Sequence, residues 1–494
     1  MTQSREANPL HAIFNARSVA FVGASNKPTT MGTIQMLNTL RGNFKGPVIP
    51  VHPRLDRVLG EKAYPTLRAL PDPVDLAVLV VPTDAVLPVV EDAAARGIRH
   101  LVITSAGFRE GGEEGRQREE RLRELSRRHG IRFVGPNCIG VLNTASGLNT
   151  TFFPYLHAPG PLGLASQSGT YVTQVLDLLS RWGIGLSKAI SVGNSVSIDL
   201  ADCLDFFADD PDTRAVALYI EGIPDGRKFL SAARRCTARK PVVALYVGGT
   251  EGGARSGRSH TGAMGGPDEI YNGLFAQAGI QRVSTVADLY TFGWALATQA
   301  VPRGNRMVIL THSGGPATSM ADAVYRHGMT LSRFSSDLEA RIREMLPATA
   351  SASNPIDLTF SLDIKLLQEK LPPLLLGQDT VDGLLMHGLQ GSTFFSDISR
   401  IAGDLFSLPL DQMSEFARLA VEPLCRMPEQ FQKPIVMSCF YDRRDNVVRT
   451  LQDSLIPVFD TPERAVAAMG ALVRYGEYRR RLAQPGNSDA RAFV

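Results

Sequence analysis

Ser18-Val19-Ala20-Phe21-Val22-Gly23-Ala24-Ser25 reads as a short β-branched strand ending in glycine, after which the chain runs through Pro28 and Gly32 into a helical stretch at 33–40. Glycine at a strand's carboxyl end lets backbone N–H groups approach a phosphate at the following helix N-terminus. The opening unit is therefore read as a parallel α/β fold of the nucleotide-binding kind. The dinucleotide spacing G-x-G-x-x-G is absent, because Ala24 and Ser25 follow Gly23 and the next glycine is Gly32. Nor does an acidic residue close the second strand, Val48 to Val51. His52-Pro53-Arg54 stands there instead, and Arg54 suits a phosphorylated ribose, which both NADP and coenzyme A carry.

Outward from this loop, β-branched runs alternate with amphipathic stretches to the end of the chain, the pattern of parallel α/β domains. Further strands are expected at 75–81, 100–104 and 132–134, with helices near 84–96 and 113–129. The last of these is densely charged with mixed signs and reads as a solvated face. A Thr-, Gly- and Pro-rich loop at 143–161 closes the unit, and strands recur at 162–165, 186–191, 215–220 and 241–246. Pro302-Arg303-Gly304 marks a second boundary, and a third unit carries strands at 306–310, 381–386 and 434–439. The expected domains are 1–148, 149–301 and 302–494; the stretch 390–432 has irregular helical character and receives no defined element. A chain of 494 residues fits several cores rather than one. A formal charge of +3 offers no basic stripe for nucleic acid, and no apolar run reaches the roughly 20 residues that a membrane span needs. Five cysteines without paired spacing and an N-terminus without an apolar leader point to the cytoplasm, and nothing suggests a metal site.

Chemistry-bearing residues cluster at expected strand ends. In the first unit these are Val80-Val81-Pro82-Thr83, Thr104-Ser105-Ala106-Gly107-Phe108 and Gly135-Pro136-Asn137-Cys138. Cys138 lacks a neighbouring histidine and reads as a buried, inert thiol. In the second unit, Ser166-Gln167-Ser168-Gly169-Thr170 and Ser191-Val192-Gly193-Asn194-Ser195 each follow a strand and are read as opening a helix. Two such elements side by side aim two helix dipoles at one phosphoryl group, with Ser166, Ser168, Gly169, Thr170, Gly193 and Asn194 around it. The nucleophile is His260, in Gly257-Arg258-Ser259-His260-Thr261-Gly262-Ala263, within a Gly-rich run from Gly248 to Gly266 that cannot pack a core. Such a loop presenting one imidazole reads as a carrier arm. Glu221, at the end of another strand, is placed to hold one imidazole nitrogen so that the other attacks phosphorus.

Taken together, these segments resemble the ADP-forming acyl-CoA synthetases of the succinyl-CoA synthetase superfamily, as an alpha-type subunit. Ser259-His260-Thr261-Gly262-Ala263 with Asp268-Glu269-Ile270-Tyr271 is similar to the family's phosphohistidine segment. The likeness continues through Asn354-Pro355-Ile356-Asp357-Leu358-Thr359 to Pro462-Glu463-Arg464-Ala465. The resemblance implies an α/β architecture of one Rossmann-like CoA-binding domain followed by two flavodoxin-like domains. It implies coenzyme A bound by Gly23, Ala24, Ser25, Arg54, Val81, Pro82, Ser105, Gly107 and Asn137, and a phosphohistidine at His260 oriented by Glu221. It further implies an ATP-grasp beta-type partner that binds ATP or ADP with Mg2+, a small carboxylic acid or its acyl-CoA as substrate, and a hetero-oligomer or homodimer. The chain departs from the family where Tyr246 replaces a common lysine and Gly249 a common arginine. Those two changes motivate an alternative, a CoA- or acyl-CoA-binding regulatory protein without turnover. A second alternative, an NADP-linked oxidoreductase, rests on the first loop and Arg54 alone.

Overall fold

The computed structural model describes residues 8–484, apart from 154–157, 254, 256, 258–264, 362 and 403–408. The chain divides into two compact units, one formed by 1–177 with 185–289 and the other by 178–184 with 290–494.

The first unit holds two sheets. In chain order it contributes β1 (Val19–Val22), β2 (Val48–Val51), a small hairpin of β3 (Arg57–Val58) and β4 (Glu61–Lys62), β5 (Leu76–Leu79), β6 (His100–Ile103) and β7 (Arg132–Val134). Apart from the hairpin these form a parallel sheet in the order β2-β1-β5-β6-β7. Every residue of β1 and β5 is buried. Strands covered on both faces are expected to be continuously apolar rather than alternating, as these are.

β8 (Gly140–Asn143) and β9 (Leu148–Asn149) follow, then β10 (Pro159–Ser166), β11 (Leu186–Ser191), β12 (Ala215–Ile220), β13 (Val242–Tyr246) and β14 (Gln281–Val283). They order as β14-β13-β12-β10-β11-β8-β9, parallel from β14 to β11. The stretch expected as a loop from residue 143 is corrected here. β8 runs antiparallel to β11, with Asn143 opposite Lys188, and β9 returns along β8. Its Thr- and Asn-rich sequence hid the pairing, because polar side chains rather than an apolar face hold it. Thr150 Oγ1 accepts from the Val141 amide, and Thr144 Oγ1 donates to the Leu186 carbonyl.

The short helix Leu10–Phe14 packs on helix Leu200–Asp209, with the Phe14 and Phe206 rings stacked at 4.9 Å. Asp199 caps the second helix through the amides of Ala201 and Asp202, and Asp202 reciprocates at the Asp199 amide. Such a cap contributes about 1 kcal/mol.

The second unit contains β15 (Arg306–Thr311), β16 (Thr330–Leu331), β17 (Ile356–Asp357), β18 (Gly383–His387), β19 (Ile435–Ser438) and β20 (Val458–Phe459). Its sheet runs β16-β15-β18-β19-β20, all parallel, and β17 also pairs with β15 at the carboxyl end of that strand. A core of Leu310, Leu371, Leu384, Val421, Ile435 and Val447 lies against it. The unassigned stretch 390–432 supplies helices Ser392–Ala402 and Leu410–Phe431. Pro423 and Pro428 inside the second of them obscured its period in the sequence.

Candidate functional site

The carboxyl edge of the first sheet gathers the residues singled out there. Gly23 has φ +101°, and a Cβ on it would lie 2.1 Å from the Val80 carbonyl oxygen, so no other residue lets the loop turn against β5. The next residues fold onto helix Met31–Arg41: the Ser25 amide donates to Thr33 Oγ1, and that hydroxyl donates back to the Ser25 carbonyl. Asn26 fastens the loop to the β3–β4 hairpin through Arg57 O and the Leu59 amide. Arg54 is exposed beyond β2, its own amide and that of Leu55 donating to His52 Nδ1. Lys27, also exposed, adds a second cation on the glycine loop, which sequence reasoning missed because it had no spacing rule to flag it.

Val81 and Ser105 lock the next two loops together, Ser105 Oγ donating to Val81 O at 2.6 Å. Pro82 precedes helix Thr83–Arg96, and Thr83 donates to the Ala106 carbonyl. The Gly107 amide donates to Glu110 Oε1, and its carbonyl accepts from Arg118. Asn137, at φ +56°, donates its amide to the Ser105 carbonyl. Cys138 is buried, and burial pushes its thiol up to about 12. It is no nucleophile.

Asn194 belongs to a different job from the one expected of it. Its side chain is fully buried, and its amide nitrogen donates to Glu110 Oε2 at 2.7 Å and Glu119 Oε2 at 3.0 Å. Its backbone N–H goes to the Pro136 carbonyl, while Gly193 backs onto the carbonyls of Pro136 and Asn137. No donor of Asn194 is left for a phosphate; the residue joins the first sheet to the second. Burial pushes the Glu110 carboxyl up, but the bonds from Asn194 and the amides of Phe108 and Gly107 outweigh it and hold the group below its ordinary range. The loop at Gly193 does not open a helix either, since the next one starts at Leu200 under its Asp199 cap. The glycine and serine there imitated a helix start; the true cap signal lay five residues on from Asn194, at Asp199.

The second edge centres on Gln167. Its Oε1 accepts from the amides of Glu221 at 2.6 Å and Gly222 at 3.0 Å, and its Nε2 donates to Gly222 O. One glutamine thus binds the loop after β10 to the loop after β12, a role unmarked in the sequence because glutamine has no motif of its own. Ser166 Oγ accepts from the Ser168 amide and donates to the Ser168 carbonyl, shaping the turn from within. Gly169 packs on Ile139, whose Cγ1 would lie 1.9 Å from a Cβ at that position, and Thr170 begins a helix of one turn, Thr170–Thr173.

Glu221 is 8% exposed, yet its Oε2 is buried with no hydrogen-bond partner among the described residues. An orphaned carboxylate oxygen is costly, on the order of 1–3 kcal/mol or more, unless something else meets it. His260 lies outside the described residues; of the described residues that flank it, Gly248 lies beside the Glu221 carbonyl and Gly265 beside Gly248. A Cβ on Gly248 would lie 3.2 Å from Glu221 O, and one on Gly265 would lie 2.8 Å from Gly248 O. Tyr246 closes this neck by donating from its hydroxyl to Gly266 O at 2.7 Å.

The two departures from the family are explained here as a set. The Tyr246 ring stacks on Tyr271 at 3.6 Å, and the Arg282 guanidinium lies 5.6 Å from the Tyr246 centroid. Arg282 also holds Asp268 Oδ1 at 2.7 Å, and that oxygen fills the space where a Cβ of residue 249 would stand, 1.8 Å away. Glycine at 249 makes room for Asp268, and the cation at this corner comes from Arg282 instead.

Comparison with known proteins gives three family models in this order along the chain. A CoA binding domain matches residues 17–144, a succinyl-CoA ligase like flavodoxin domain matches 159–296, and a Ligase-CoA domain matches 307–369. The acetate–CoA ligase [ADP-forming] II subunit alpha of Pyrococcus furiosus is 38% identical over 352 residues, 71% of this chain and 76% of that protein. The acetate–CoA ligase [ADP-forming] I subunit alpha of the same organism is 33% identical over 476 residues, 95% of this chain and 98% of that one. Among solved structures, the dinucleotide forming acetyl-coenzyme A synthetase 1 of Ca. Korarchaeum cryptofilum, in complex with phosphate and ADP, superposes with a TM-score of 0.84 at 32% identity, covering 97% of this chain and 99% of that one.

Proposed function

The chain belongs to the ADP-forming acyl-CoA synthetases of the succinyl-CoA synthetase type, as an alpha-type subunit, and from that premise we propose the part each of its sites takes in the reaction. The enzyme is an acid–thiol ligase that interconverts acyl-CoA, ADP and phosphate with a carboxylic acid, CoA and ATP. Coenzyme A lies along the carboxyl edge of the first sheet, its phosphates toward the Gly23–Ser25 loop and the cations Lys27 and Arg54. Phosphate, held near Ser168 and Thr170, attacks the thioester carbonyl; the C–S bond breaks, CoA leaves as the thiolate, and an acyl phosphate forms. His260 then attacks phosphorus, the P–O bond to the acyl group breaks, and the carboxylic acid departs. ADP on an ATP-grasp beta-type partner, which also binds the Mg2+, takes the phosphoryl group from the histidine. The unpaired cysteines fit a cytoplasmic setting for this reaction.

The observation that carries the reading is that Glu221, whose buried Oε2 has no hydrogen-bond partner among the described residues, has its backbone carbonyl beside Gly248, where the segment that bears His260 begins. An imidazole N–H delivered there satisfies the oxygen and fixes the tautomer. A regulatory protein without turnover gives that buried carboxylate nothing to do. An NADP-linked oxidoreductase accounts for neither Glu221 nor the family membership. The test is labelling of the chain by γ-labelled ATP in the presence of its ATP-grasp partner. An acid-labile, base-stable label is expected, absent in His260→Ala while CoA binding persists. A label of wild-type strength in that variant removes His260 from the reaction.

A further inference from the structure

Three successive backbone N–H groups in the loop that carries Glu221 are taken by side chains from elsewhere in the same unit. Gln167 accepts from Glu221 and Gly222. The phenolic oxygen of Tyr271, in helix Asp268–Ala278, accepts from Ile223 at 3.0 Å. This last hold has no part in the reaction as described, and no sequence motif marks it. The Tyr271 ring lies parallel to that of Tyr246, at 8° between planes and 3.6 Å between centroids, and Phe275 meets it edge-on at 5.9 Å. Both tyrosines are buried. A Cβ on Gly266 would lie 3.3 Å from Tyr271 Cε2, so the backbone held by the Tyr246 hydroxyl also passes against the Tyr271 ring.

A phenol suits this place. Burial raises the pKa of both hydroxyls, so they stay neutral at neutral pH. Tyr246 keeps the proton that it donates to Gly266 O, and Tyr271 meets the Ile223 amide with no charge to desolvate. The stack between the two rings is broad and directional, and Arg282, held by Asp268 and Asn272, lies 5.6 Å from the Tyr246 centroid. The lysine common in the family at position 246 has no ring to stack on Tyr271. Tyr246 thereby gains a use: it limits the movement of Tyr271 and, through that hydroxyl, of the loop after β12. A carboxylate that must meet an imidazole within hydrogen-bond reach tolerates little displacement.

We propose, resting on the synthetase reading above, that Tyr271 is a positioning residue for phosphorylation of His260. It holds the loop from which Glu221 meets the imidazole, and the ring of Tyr246 holds Tyr271. Its effect passes through Glu221, because its hydroxyl is spent on the Ile223 amide two residues further on.

The test is a double-mutant cycle read by rapid-quench labelling of the full chain with γ-labelled ATP and its ATP-grasp partner. Rate constant and amplitude are compared in the wild type, Tyr271→Phe, Glu221→Gln and the double variant. Tyr271→Phe is expected to lower the rate constant about tenfold at unchanged amplitude. In the Glu221→Gln background the same change is expected to cost less than about twofold, since the hold it loosens no longer carries a carboxylate. A rate constant unchanged in Tyr271→Phe overturns the inference and leaves the synthetase reading intact. So does a reduced amplitude at the wild-type rate constant, which would mean lost folded chain only. An equal cost in both backgrounds overturns it as well, because Tyr271 would then act apart from Glu221. Should Tyr271→Phe give no folded chain, Tyr246→Ala decides: it removes the supporting ring and is expected to slow labelling at least about threefold, and an unchanged rate constant overturns the inference. No label in the wild type with a competent partner removes the synthetase reading, and the positioning role with it.

Discussion

At the scale of single residues, side chains that hold the structure contrast with Glu221. Asn194 and Gln167 use their polar atoms on neighbouring loops and Ser166 on its own turn, whereas Glu221 leaves a buried oxygen unmet among the described residues. Replacing Glu221 by glutamine keeps the shape but removes the negative charge and one of the two acceptor oxygens, which weakens the hold on an imidazole. Phosphorylation of the chain is expected to slow by roughly 10²-fold, read by rapid quench, with folding stability within about 1 kcal/mol of wild type. Unchanged quench kinetics would take Glu221 out of the reaction. At this scale the sequence was informative where a residue type carries its own chemistry. Gly23, at a strand end, adopts a φ of +101° that glycine accepts, while His260 and Glu221 drew notice only as a pair, an imidazole in a Gly-rich run and a carboxylate that alone is an ordinary loop acid. Asn194 was read as a phosphate ligand because asparagine in a Gly-rich turn is ambiguous; only the carboxylates of Glu110 and Glu119, distant in sequence, reveal its use.

At the scale of elements, the strands were legible and several of their ends were not. β1, β5, β12 and β13 are buried along their whole length, so their apolar runs identified them. β8 and β9 were missed because Thr144 and Thr150 secure them by hydrogen bonds, which leave no period in the sequence. The helix Leu410–Phe431 was missed because its two prolines break the expected pattern. Loop pairing was also invisible, and Gln167 shows how much depends on it. In Gln167→Ala the amides of Glu221 and Gly222 lose their acceptor and the Gly222 carbonyl its donor, all in a buried place. A drop of roughly 2–4 kcal/mol is expected in urea unfolding, together with slower phosphorylation as Glu221 loses its support. A midpoint equal to wild type would mean that the two loops are held by other contacts.

At the scale of the whole molecule, acid acts first through imidazoles whose pKa burial lowers, His387 with His312 and His100, and then through carboxylates such as Glu110. His387 has its pKa lowered to about 4 by burial first and by His312 second. An unfolded histidine titrates near 6.5, so between about pH 6.5 and pH 4 the unfolded chain binds a proton that the folded one refuses, and stability falls as pH falls. Glu110, held below its ordinary 4.5, acts lower down: its contribution is present above that value and disappears as pH drops through the folded one. Tm is therefore expected to decline from near pH 6.5 downward, and His387→Gln to flatten the upper part of that decline in scanning calorimetry. A wild-type Tm that stays level from pH 6.5 to pH 4.5 would contradict the assignment. The neck at Gly248 and Gly265, closed by Tyr246, has a quantitative meaning as a tether. His260 lies five residues before Gly265, a span of at most about 18 Å at roughly 3.6 Å per residue. One imidazole confined to a sphere of that radius has an effective concentration of about 70 mM. Free imidazole added to His260→Ala should restore phosphoryl transfer only when it reaches tens of millimolar, and saturation far below that level would mean that the loop gives no advantage of confinement.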